Sequence, residues 1–468
     1  MTTKKYKGIP YHLWNLYTPM EKLLPFLGVG PSVITRGDGP YLYNDKGERY
    51  LNGRSCAWNF SIGFGREEII EAATKQMREL PFSSLFGEAH PRAIELAAKL
   101  IEITSGNFAH VYLDSNGSEV VETSLKLARQ YHRQSPLKTD HGRFKIISLR
   151  GSYHGIAYGA STLMGLERHE AKFGPMLPGI VHIDPPYCYR CPYQKDSYPD
   201  CGLECAYALE KTIQAEGPES VAAFILEPIM GEMGVIIPPD EYYRIIGETC
   251  RQYGLLLIAD EISTGFGRTG ELFVSQKWDY QPDILLLGKA VSGGYFPVAA
   301  ALTTEAIFER FLGDDNYFMH GSTNSGHPVG AAVSMVAIDI ILREKLAENS
   351  ARVGAYLKAK LTDLMNTHPL IGEVRGRGLM IGIDLTRDRK TKEWLARGEI
   401  DNLMMSSMVH GLLASFPDCG ESLFPPLITT EAVADEIVAV LDKVLHIGRL
   451  ADLDRNAYML KEFVRSKL

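Results

Sequence analysis

A lysine and an aspartate each follow directly on an apolar run in the middle of the chain. Residues 255–259 (Leu-Leu-Leu-Ile-Ala) lead into Asp260, and residues 284–287 (Ile-Leu-Leu-Leu) lead through Gly288 into Lys289. Open α/β sheets bind ligands just outside the carboxyl ends of their strands, so both side chains are predicted to face a site. Apolar surroundings disfavour an ammonium ion, which makes the Lys289 amine a candidate nucleophile for a Schiff base. Either residue alone also fits a solvated charge at a strand end; the pair is more informative.

An anion site is predicted where another strand runs into a helix. Residues 114–119 (Asp-Ser-Asn-Gly-Ser-Glu) follow an apolar run and open an amphipathic segment. Backbone N–H groups and the helix dipole would converge there on a phosphate, although a plain helix N-cap explains the same residues. A Walker phosphate loop around Lys289 is excluded, because Asp283 and Ala290 stand where that motif requires a glycine and a serine or threonine.

Alternating strands and helices must position these residues. Short runs rich in Val, Ile and Leu predict buried strands at residues 110–114, 144–149, 180–183, 221–226, 255–259, 284–287 and 297–302. Amphipathic stretches between them, such as residues 119–133 and 240–253, predict crossover helices. This alternation indicates an α/β fold with a mostly parallel central sheet.

The pattern changes after about residue 330. A long helical segment at 328–366 and a strand at 379–385 predict a smaller α+β domain, and the Asp-Lys-Gly turn within residues 39–47 predicts a hairpin. We therefore expect an N-terminal segment (1–65) that packs with the small domain, a large domain (66–330) and a small C-terminal domain (331–468).

The composition excludes several classes of protein. Lys and Arg number 49 against 57 Asp and Glu, a net charge of −8, so no general attraction to nucleic acid or to an anionic membrane is expected. No apolar run approaches the roughly 18 residues that cross a membrane, and no signal peptide is evident, so we expect a cytoplasmic protein. The cysteine count of seven is odd, and Cys56, Cys250 and Cys419 are isolated, which favours reduced thiols.

Five short motifs follow one another in a recognisable order. They are residues 116–119 (Asn-Gly-Ser-Glu), 151–155 (Gly-Ser-Tyr-His-Gly), 258–262 (Ile-Ala-Asp-Glu-Ile), 288–297 (Gly-Lys, then Ser-Gly-Gly-Tyr-Phe-Pro) and 320–328 (His-Gly-Ser-Thr-Asn-Ser-Gly-His-Pro). Together they resemble the class III (omega) aminotransferase family, of the amine or omega-amino acid:pyruvate type. The similarity runs from about residue 30 to Pro425-Pro426-Leu427. It implies pyridoxal 5′-phosphate as cofactor and the fold of fold-type I transferases, with helices on both faces of the central sheet.

The resemblance implies a role for each residue near the cofactor ring. Asp260 would hold the proton on the pyridine nitrogen that makes the cofactor an electron sink. Lys289 would bind the cofactor as a Schiff base and afterwards move a proton at the substrate carbon. Tyr153 and Ile262 would stack on the two ring faces, although each is also a common kind of core residue.

The resemblance also implies contacts around the phosphate. Gly117 and Ser118 would bind it, and His154 and Glu227 would belong to the cofactor site. Thr323 would reach the phosphate from the neighbouring subunit. A homodimer is then the minimal active unit, with a tetramer as the larger alternative.

The substrate end departs from the family pattern. Many relatives carry an arginine shortly before Pro-Pro-Leu that binds a substrate carboxylate, but residues 415–424 contain none, and Ile156 stands where some relatives carry another. Arg54 is a candidate for this role, although a surface or structural arginine is the simpler interpretation. Trp58, with Phe86 from the partner chain, predicts an aromatic pocket, unless Trp58 is core filling. We expect a primary amine or omega-amino acid as donor and a small keto acid such as pyruvate as acceptor.

Three alternatives stay open at this point. A lyase, decarboxylase or aminomutase would use the same Lys289 and Asp260, and only transamination consumes a keto acid stoichiometrically. A protein that binds the cofactor without catalysis should first have lost these groups. Four thiols have a spacing that a structural zinc ion would accept, with free thiols in a surface loop as the default: Cys188, Cys191, Cys201 and Cys205. The predicted cofactor site itself needs no metal.

Overall fold

The structure is a computed structural model that describes residues 4–23, 30–104, 106–195, 198–417 and 420–447. Its first part forms short antiparallel sheets and short helices. In chain order these are β1 (Lys5–Tyr6), β2 (Ile9–Pro10), α1 (Met20–Leu23), β3 (Ile34–Asp38), β4 (Tyr41–Asn44), β5 (Arg49–Leu51) and α2 (Ser55–Trp58). The predicted hairpin is confirmed, because β4 and β5 pair antiparallel across the Asp-Lys-Gly turn.

A seven-stranded sheet forms the centre of the large domain. Its strands are β6 (Phe108–Asp114), β7 (Lys145–Leu149), β8 (Ile180–Ile183), β9 (Val221–Leu226), β10 (Leu256–Asp260), β11 (Ile284–Leu287) and β12 (Ala299–Thr304). Across the sheet the order is β6-β12-β11-β10-β9-β7-β8. Strand β12 runs antiparallel to both of its neighbours, and the other neighbouring pairs are parallel. The predicted α/β fold with a mostly parallel sheet is therefore confirmed, and each strand predicted between residues 110 and 302 corresponds to a strand of this sheet.

Helices pack on both faces of this sheet. Along β9, Phe224 belongs to one apolar core, and its neighbours Ala223 and Ile225 belong to another. Successive side chains of a strand point to opposite faces, so both faces are covered. The helices are α3 (Glu67–Glu79), α4 (Pro91–Ile103), α5 (Gly117–Arg133), α6 (Tyr158–Thr162), α7 (Glu167–Phe173), α8 (Glu204–Glu216), α9 (Asp240–Tyr253), α10 (Glu305–Phe308) and α11 (Pro328–Arg343). No helix among the described residues is long and apolar enough to cross a membrane.

The single long helix predicted at 328–366 is wrong. Helix α11 ends at Arg343, and α12 (Leu346–Leu364) begins after Lys345, whose φ of 51° is left-handed and incompatible with a continuous helix. The apolar side chains of α11 pack in the core of the large domain, whereas Val353 and later residues of α12 pack in a separate core. Apolar periodicity on both sides of the turn made two helices look like one.

A smaller α+β unit follows. It comprises α12, β13 (Ile371–Arg377), β14 (Met380–Asp388), β15 (Glu393–Trp394), α13 (Arg397–Val409), β16 (Gly420–Leu423) and α14 (Glu431–Ile447). Strand β14 contains most of the strand predicted at 379–385 and pairs antiparallel with β13, β15 and β16. The N-terminal segment joins this unit, because the Leu51 N–H donates to the Gly411 carbonyl over 2.7 Å and the Leu51 side chain lies in the same core. The domain boundaries at 65 and 330 stay predictions.

Candidate active site

Asp260 and Lys289 meet at one edge of the central sheet. Asp260 is the last residue of β10, and it lies in register with Leu286 of the parallel neighbour β11. Lys289 follows the end of β11 after one residue, Gly288, and begins a short 3₁₀ turn. The carboxyl ends of neighbouring parallel strands therefore bring a carboxylate and an amine to the same crevice, as the sequence predicted.

The Lys289 amine is held in surroundings that favour its neutral form. Its Nζ atom donates to the Ser263 hydroxyl over 2.6 Å and lies 5.1 Å from the centre of the Trp58 ring. Burial lowers the pKa of Lys289, although the negative charge of Asp260 acts in the opposite direction. The φ of Lys289 is 44°, a left-handed conformation that costs about 1–3 kcal/mol and is common at functional sites. A neutral lysine amine is a nucleophile for a carbonyl carbon.

Two hydrogen bonds hold the Asp260 carboxylate in place. The His154 ring nitrogen Nδ1 lies 2.7 Å from Oδ2, and the Ile262 N–H donates to Oδ1 over 3.1 Å. Asp260 is 2% exposed and His154 is 1% exposed. His154 Nε2 is also buried, and it has no hydrogen-bond partner among the described residues. The histidine therefore helps to hold the carboxylate in one orientation.

Glycines permit close packing around the start of α5. The Asn116 side chain caps this helix by accepting from the Glu119 N–H over 3.0 Å. A Cβ atom added to Gly117 would lie 3.2 Å from the Ile262 side chain, and one added to Gly155 would lie 2.4 Å from the Ser118 hydroxyl. The N-terminus of a 17-residue helix thus meets a close-fitting loop, which is the geometry that binds a phosphate.

A buried glutamate fixes the backbone on the other side of this crevice. Glu227 accepts from the Tyr153 N–H over 2.8 Å and from the Gly231 N–H over 3.0 Å. Burial raises the pKa of Glu227 to about 7, and burial also raises the pKa of Tyr153 to about 12. A neutral phenol at Tyr153 suits contact with an aromatic ring, and Glu227 acts on that residue through its backbone.

Trp58 forms one aromatic wall of the crevice. Its ring stacks on Phe424 with 4.0 Å between centroids and 9° between planes, and its Nε1 donates to the Ser415 hydroxyl over 3.0 Å. The side chain is 8% exposed. Trp58 thus borders the Lys289 amine and is also packed, so the two interpretations of this residue are not exclusive.

The other predicted pocket residues lie at the surface of the single chain. Phe86 is 66% exposed and packs beside Gly321, where an added Cβ atom would lie 2.6 Å from its ring. Arg54 and Thr323 are exposed. The described part of the arginine-free stretch, residues 415–417 and 420–424, is largely buried; Asp418 and Cys419 lie outside the described residues.

Sequence reasoning missed three residues near the lysine. Ser263 accepts the Lys289 hydrogen bond, and Glu232 lies close enough for its charge to favour the ammonium form of Lys289. Arg268 is 3% exposed, and its Nη1 donates to the carbonyls of Leu379 (3.0 Å) and Pro425 (2.5 Å). Burial lowers the pKa of Arg268 to about 9. The Gly-Phe-Gly-Arg-Thr-Gly run at 265–270 was the available signal, because a lone arginine amid glycines requires close packing.

The four clustered cysteines line one surface cavity, away from the lysine. Each is a free thiol in the structure, and burial raises the pKa of Cys188 and raises that of Cys205 to about 12. Arg190 fixes this loop, because its Nη2 donates to Asp384 over 2.7 Å and its Nε to the same carboxylate over 3.1 Å. Among the described residues no three of these thiols lie close enough together to share a metal ion, so the structure does not favour the zinc alternative, and burial favours protonated thiols.

The crevice residues fit pyridoxal phosphate, the cofactor that the sequence motifs imply. A buried carboxylate ends β10, an amine with a lowered pKa lies near that carboxylate, and a closely packed helix N-terminus lies at the start of α5. These are the groups that a pyridine nitrogen, an aldehyde and a phosphate require.

Comparison with known proteins points to the same chemistry. Residues 28–445 match the family model described as aminotransferase class-III. The putrescine–pyruvate aminotransferase of Pseudomonas aeruginosa is 37% identical over 421 residues, 89% of this chain and 91% of that protein. The taurine–pyruvate aminotransferase of Bilophila wadsworthia is 36% identical over 428 residues, covering 88% and 92%. An amine transaminase from an uncultivated Pseudomonas species, solved with pyridoxal phosphate bound, has a TM-score of 0.88 at 35% identity over 95% of this chain and all of that one. The chain belongs to the class III aminotransferases, which use pyridoxal phosphate as cofactor.

Proposed function

We propose that this aminotransferase moves the amino group of a primary amine or omega-amino acid to a small keto acid, with pyruvate favoured. The observation that carries the proposal is the pairing of Lys289 and Asp260 beside an aromatic wall. Two relatives at 36–37% identity are named for pyruvate as acceptor, and their donors are named as putrescine and taurine. Neither donor is an α-amino acid, which supports a pocket that does not depend on an α-carboxylate.

Each protein group has a defined task in this reaction. Pyridoxal phosphate, when bound, draws electrons away from the substrate carbon that carries the nitrogen. Asp260 would keep the ring nitrogen protonated, and His154 would keep Asp260 oriented. Lys289 would hold the cofactor and, once displaced by substrate, carry a proton from one reacting carbon to the other. Gly117 and Ser118 would hold the phosphate.

The pocket chemistry favours donors with an apolar or uncharged body. The Trp58 ring lies at the lysine and stacks on the buried Phe424, and no arginine stands among the described residues of the stretch 415–424. Arg54 is the predicted alternative for binding a carboxylate. A stacked aromatic wall accepts alkyl and aryl groups and also attracts cations.

The active unit would be a homodimer. Thr323 would contact the phosphate of the neighbouring subunit, and Phe86 would line the neighbouring pocket. Large apolar side chains are exposed in the segment just before Thr323, including Tyr317 (59% exposed) and Met319 (68% exposed). Together with Phe86 they favour a surface that a second copy covers. Sedimentation analysis should give a mass of two chains or a multiple of it.

An assay that measures both the product alanine and the consumed amine tests the reaction. The holoenzyme is incubated with putrescine, taurine, β-alanine or an arylalkylamine, without and with pyruvate, and alanine is measured together with the loss of donor. Equal amounts of alanine formed and amine consumed support the proposal. Amine loss without any need for pyruvate would instead indicate a lyase or decarboxylase. Lys289→Ala should form no alanine while keeping the wild-type circular dichroism, and alanine formation in that variant would contradict the assignment of the lysine.

A further inference from the structure

Two histidines and an aspartate converge in the small domain, outside the active site. His368 Nε2 lies 2.6 Å from Asp442 Oδ1, and His446 Nδ1 lies 3.4 Å from the same oxygen. The two imidazole rings are 4.6 Å apart at 86°. One ligand atom from each residue falls within 4.8 Å of the others, and the described chain holds this arrangement of His, Cys, Asp or Glu at no other place.

The first histidine is fixed in position before any ligand arrives. His368 is 3% exposed and lies in the turn between α12 and β13. Its N–H donates to the Leu364 carbonyl over 2.9 Å, and its own carbonyl accepts from Arg389 over 2.8 Å. Leu370, two residues further along the chain, is buried in the core of the small domain. The imidazole therefore loses little freedom when it binds a ligand.

The other two groups stand on one face of α14. Asp442 and His446 are four residues apart, so helical geometry stacks them on the same side. Val444 and Leu445 between them are buried in the core and hold the helix in place. His446 is exposed, and its Nδ1 lies 3.2 Å from the Asp442 carbonyl. Its ring proton can move to Nε2, where water accepts it, and this leaves Nδ1 available as a ligand.

We propose that His368, Asp442 and His446 bind a zinc ion. Bonds of about 2.0–2.1 Å in tetrahedral geometry place the ligand atoms roughly 3.3 Å apart. The His446–Asp442 pair already has this spacing at 3.4 Å, and the hydrogen-bonded His368–Asp442 pair at 2.6 Å would open by roughly 0.7 Å to admit the ion. Two imidazoles and a carboxylate are ligands that zinc accepts, and the exposed side of the cluster lets water take the fourth position. The ion replaces the proton that His368 shares with Asp442 and ties α14 to the turn after α12.

Calorimetric titration of the holoenzyme with Zn²⁺ at a mildly alkaline pH tests the site. The thiols are first blocked with N-ethylmaleimide, so that the four clustered cysteines do not compete. One equivalent of Zn²⁺ per chain should bind, and the melting temperature should rise. His446→Ala and Asp442→Asn should each weaken this binding by at least about tenfold, because ligand loss costs no less than loss of an outer partner.

His410→Ala is the matched control. His410 also ends a helix and its Nδ1 lies 2.8 Å from the carbonyl four residues earlier, but that residue is Ser406, which offers no carboxylate. This variant should bind zinc as the wild type does. Absence of binding to the wild type, or equal binding by His446→Ala and wild type, would overturn the proposal and leave the three residues as a hydrogen-bonded cluster only.

Discussion

Replacing Glu421 with glutamine should stabilise the protein at alkaline pH and leave its stability nearly unchanged in acid. Glu421 lies on β16 opposite Ile383 of β14, and it is 2% exposed. Its Oε1 atom has no hydrogen-bond partner among the described residues. Burial raises the pKa of Glu421 to about 8, because the surrounding apolar core does not solvate a carboxylate.

The direction of this pH dependence follows from whether the folded or the unfolded state holds the proton of Glu421. In the unfolded chain the carboxyl loses its proton near its ordinary pKa of 4.5, whereas in the folded protein it keeps the proton up to about pH 8. Between these values the folded state binds more protons, so the free energy of unfolding falls as pH rises. Each pH unit costs about 1.4 kcal/mol, and the whole interval amounts to at most about 5 kcal/mol. Below about pH 4 the carboxyl is neutral in both states and contributes no pH dependence.

Urea unfolding of wild type and Glu421→Gln at about pH 5 and pH 9 measures this effect. From about pH 5 to pH 9, the free energy of unfolding of the variant should increase by several kcal/mol relative to that of the wild type. Glu71→Gln, at an exposed position of α3, provides the control and should follow the wild type at both pH values. Parallel pH profiles for Glu421→Gln and wild type would show that this carboxyl is not the buried acid that the structure describes.

Three further substitutions test the active site. Asp260→Asn should lower kcat by about 10²–10³-fold with an unchanged melting temperature, because asparagine keeps the shape of the side chain and removes its negative charge. A smaller loss in steady-state kinetics would indicate that another group holds the ring proton. In Gly155→Ala the pyridoxal phosphate concentration needed for half-maximal activity should rise by about tenfold. The φ of Gly155 is 107°, and an added Cβ atom would lie 2.4 Å from the Ser118 hydroxyl. An unchanged cofactor titration would show that this glycine does not shape the phosphate site. Trp58→Leu should favour bulkier donors, because the wall that Trp58 forms with Phe424 is lost. The kcat/KM for an arylalkylamine with an ethyl branch, divided by the kcat/KM for one with a methyl branch, should rise by about tenfold. An unchanged ratio would mean that Trp58 only fills the core.

The strands of the central sheet were predictable because burial on both faces requires continuous apolar runs. The direction of β12 was not, since a run of apolar residues looks the same in a parallel and in an antiparallel strand. The break between α11 and α12 was missed because both helices carry apolar faces and Lys345, which adopts the left-handed conformation there, is not a typical turn residue.

At the active site, too, some features were predictable from local sequence and others depended on the tertiary structure. Lys289 and Asp260 were predictable because each follows a strand, and parallel neighbouring strands end at a common edge. The contact of Ser263 with the lysine and that of His154 with the aspartate depend on how loops return over the sheet. Arg268 reaches carbonyls 111 and 157 residues away, a separation that no local pattern reports.

The sequence by itself determined the fold class, the family and the placement of Lys289 and Asp260 at strand ends, because these depend on residue types repeated at short, regular spacing. Tertiary structure alone decided which groups tune that pair and which distant residues meet. His368 and Asp442 lie 74 positions apart, and Glu421 becomes a buried acid only when β16 pairs with β14. Desolvation and ligand geometry are properties of what surrounds a side chain in space, and that surrounding exists only once the chain has folded.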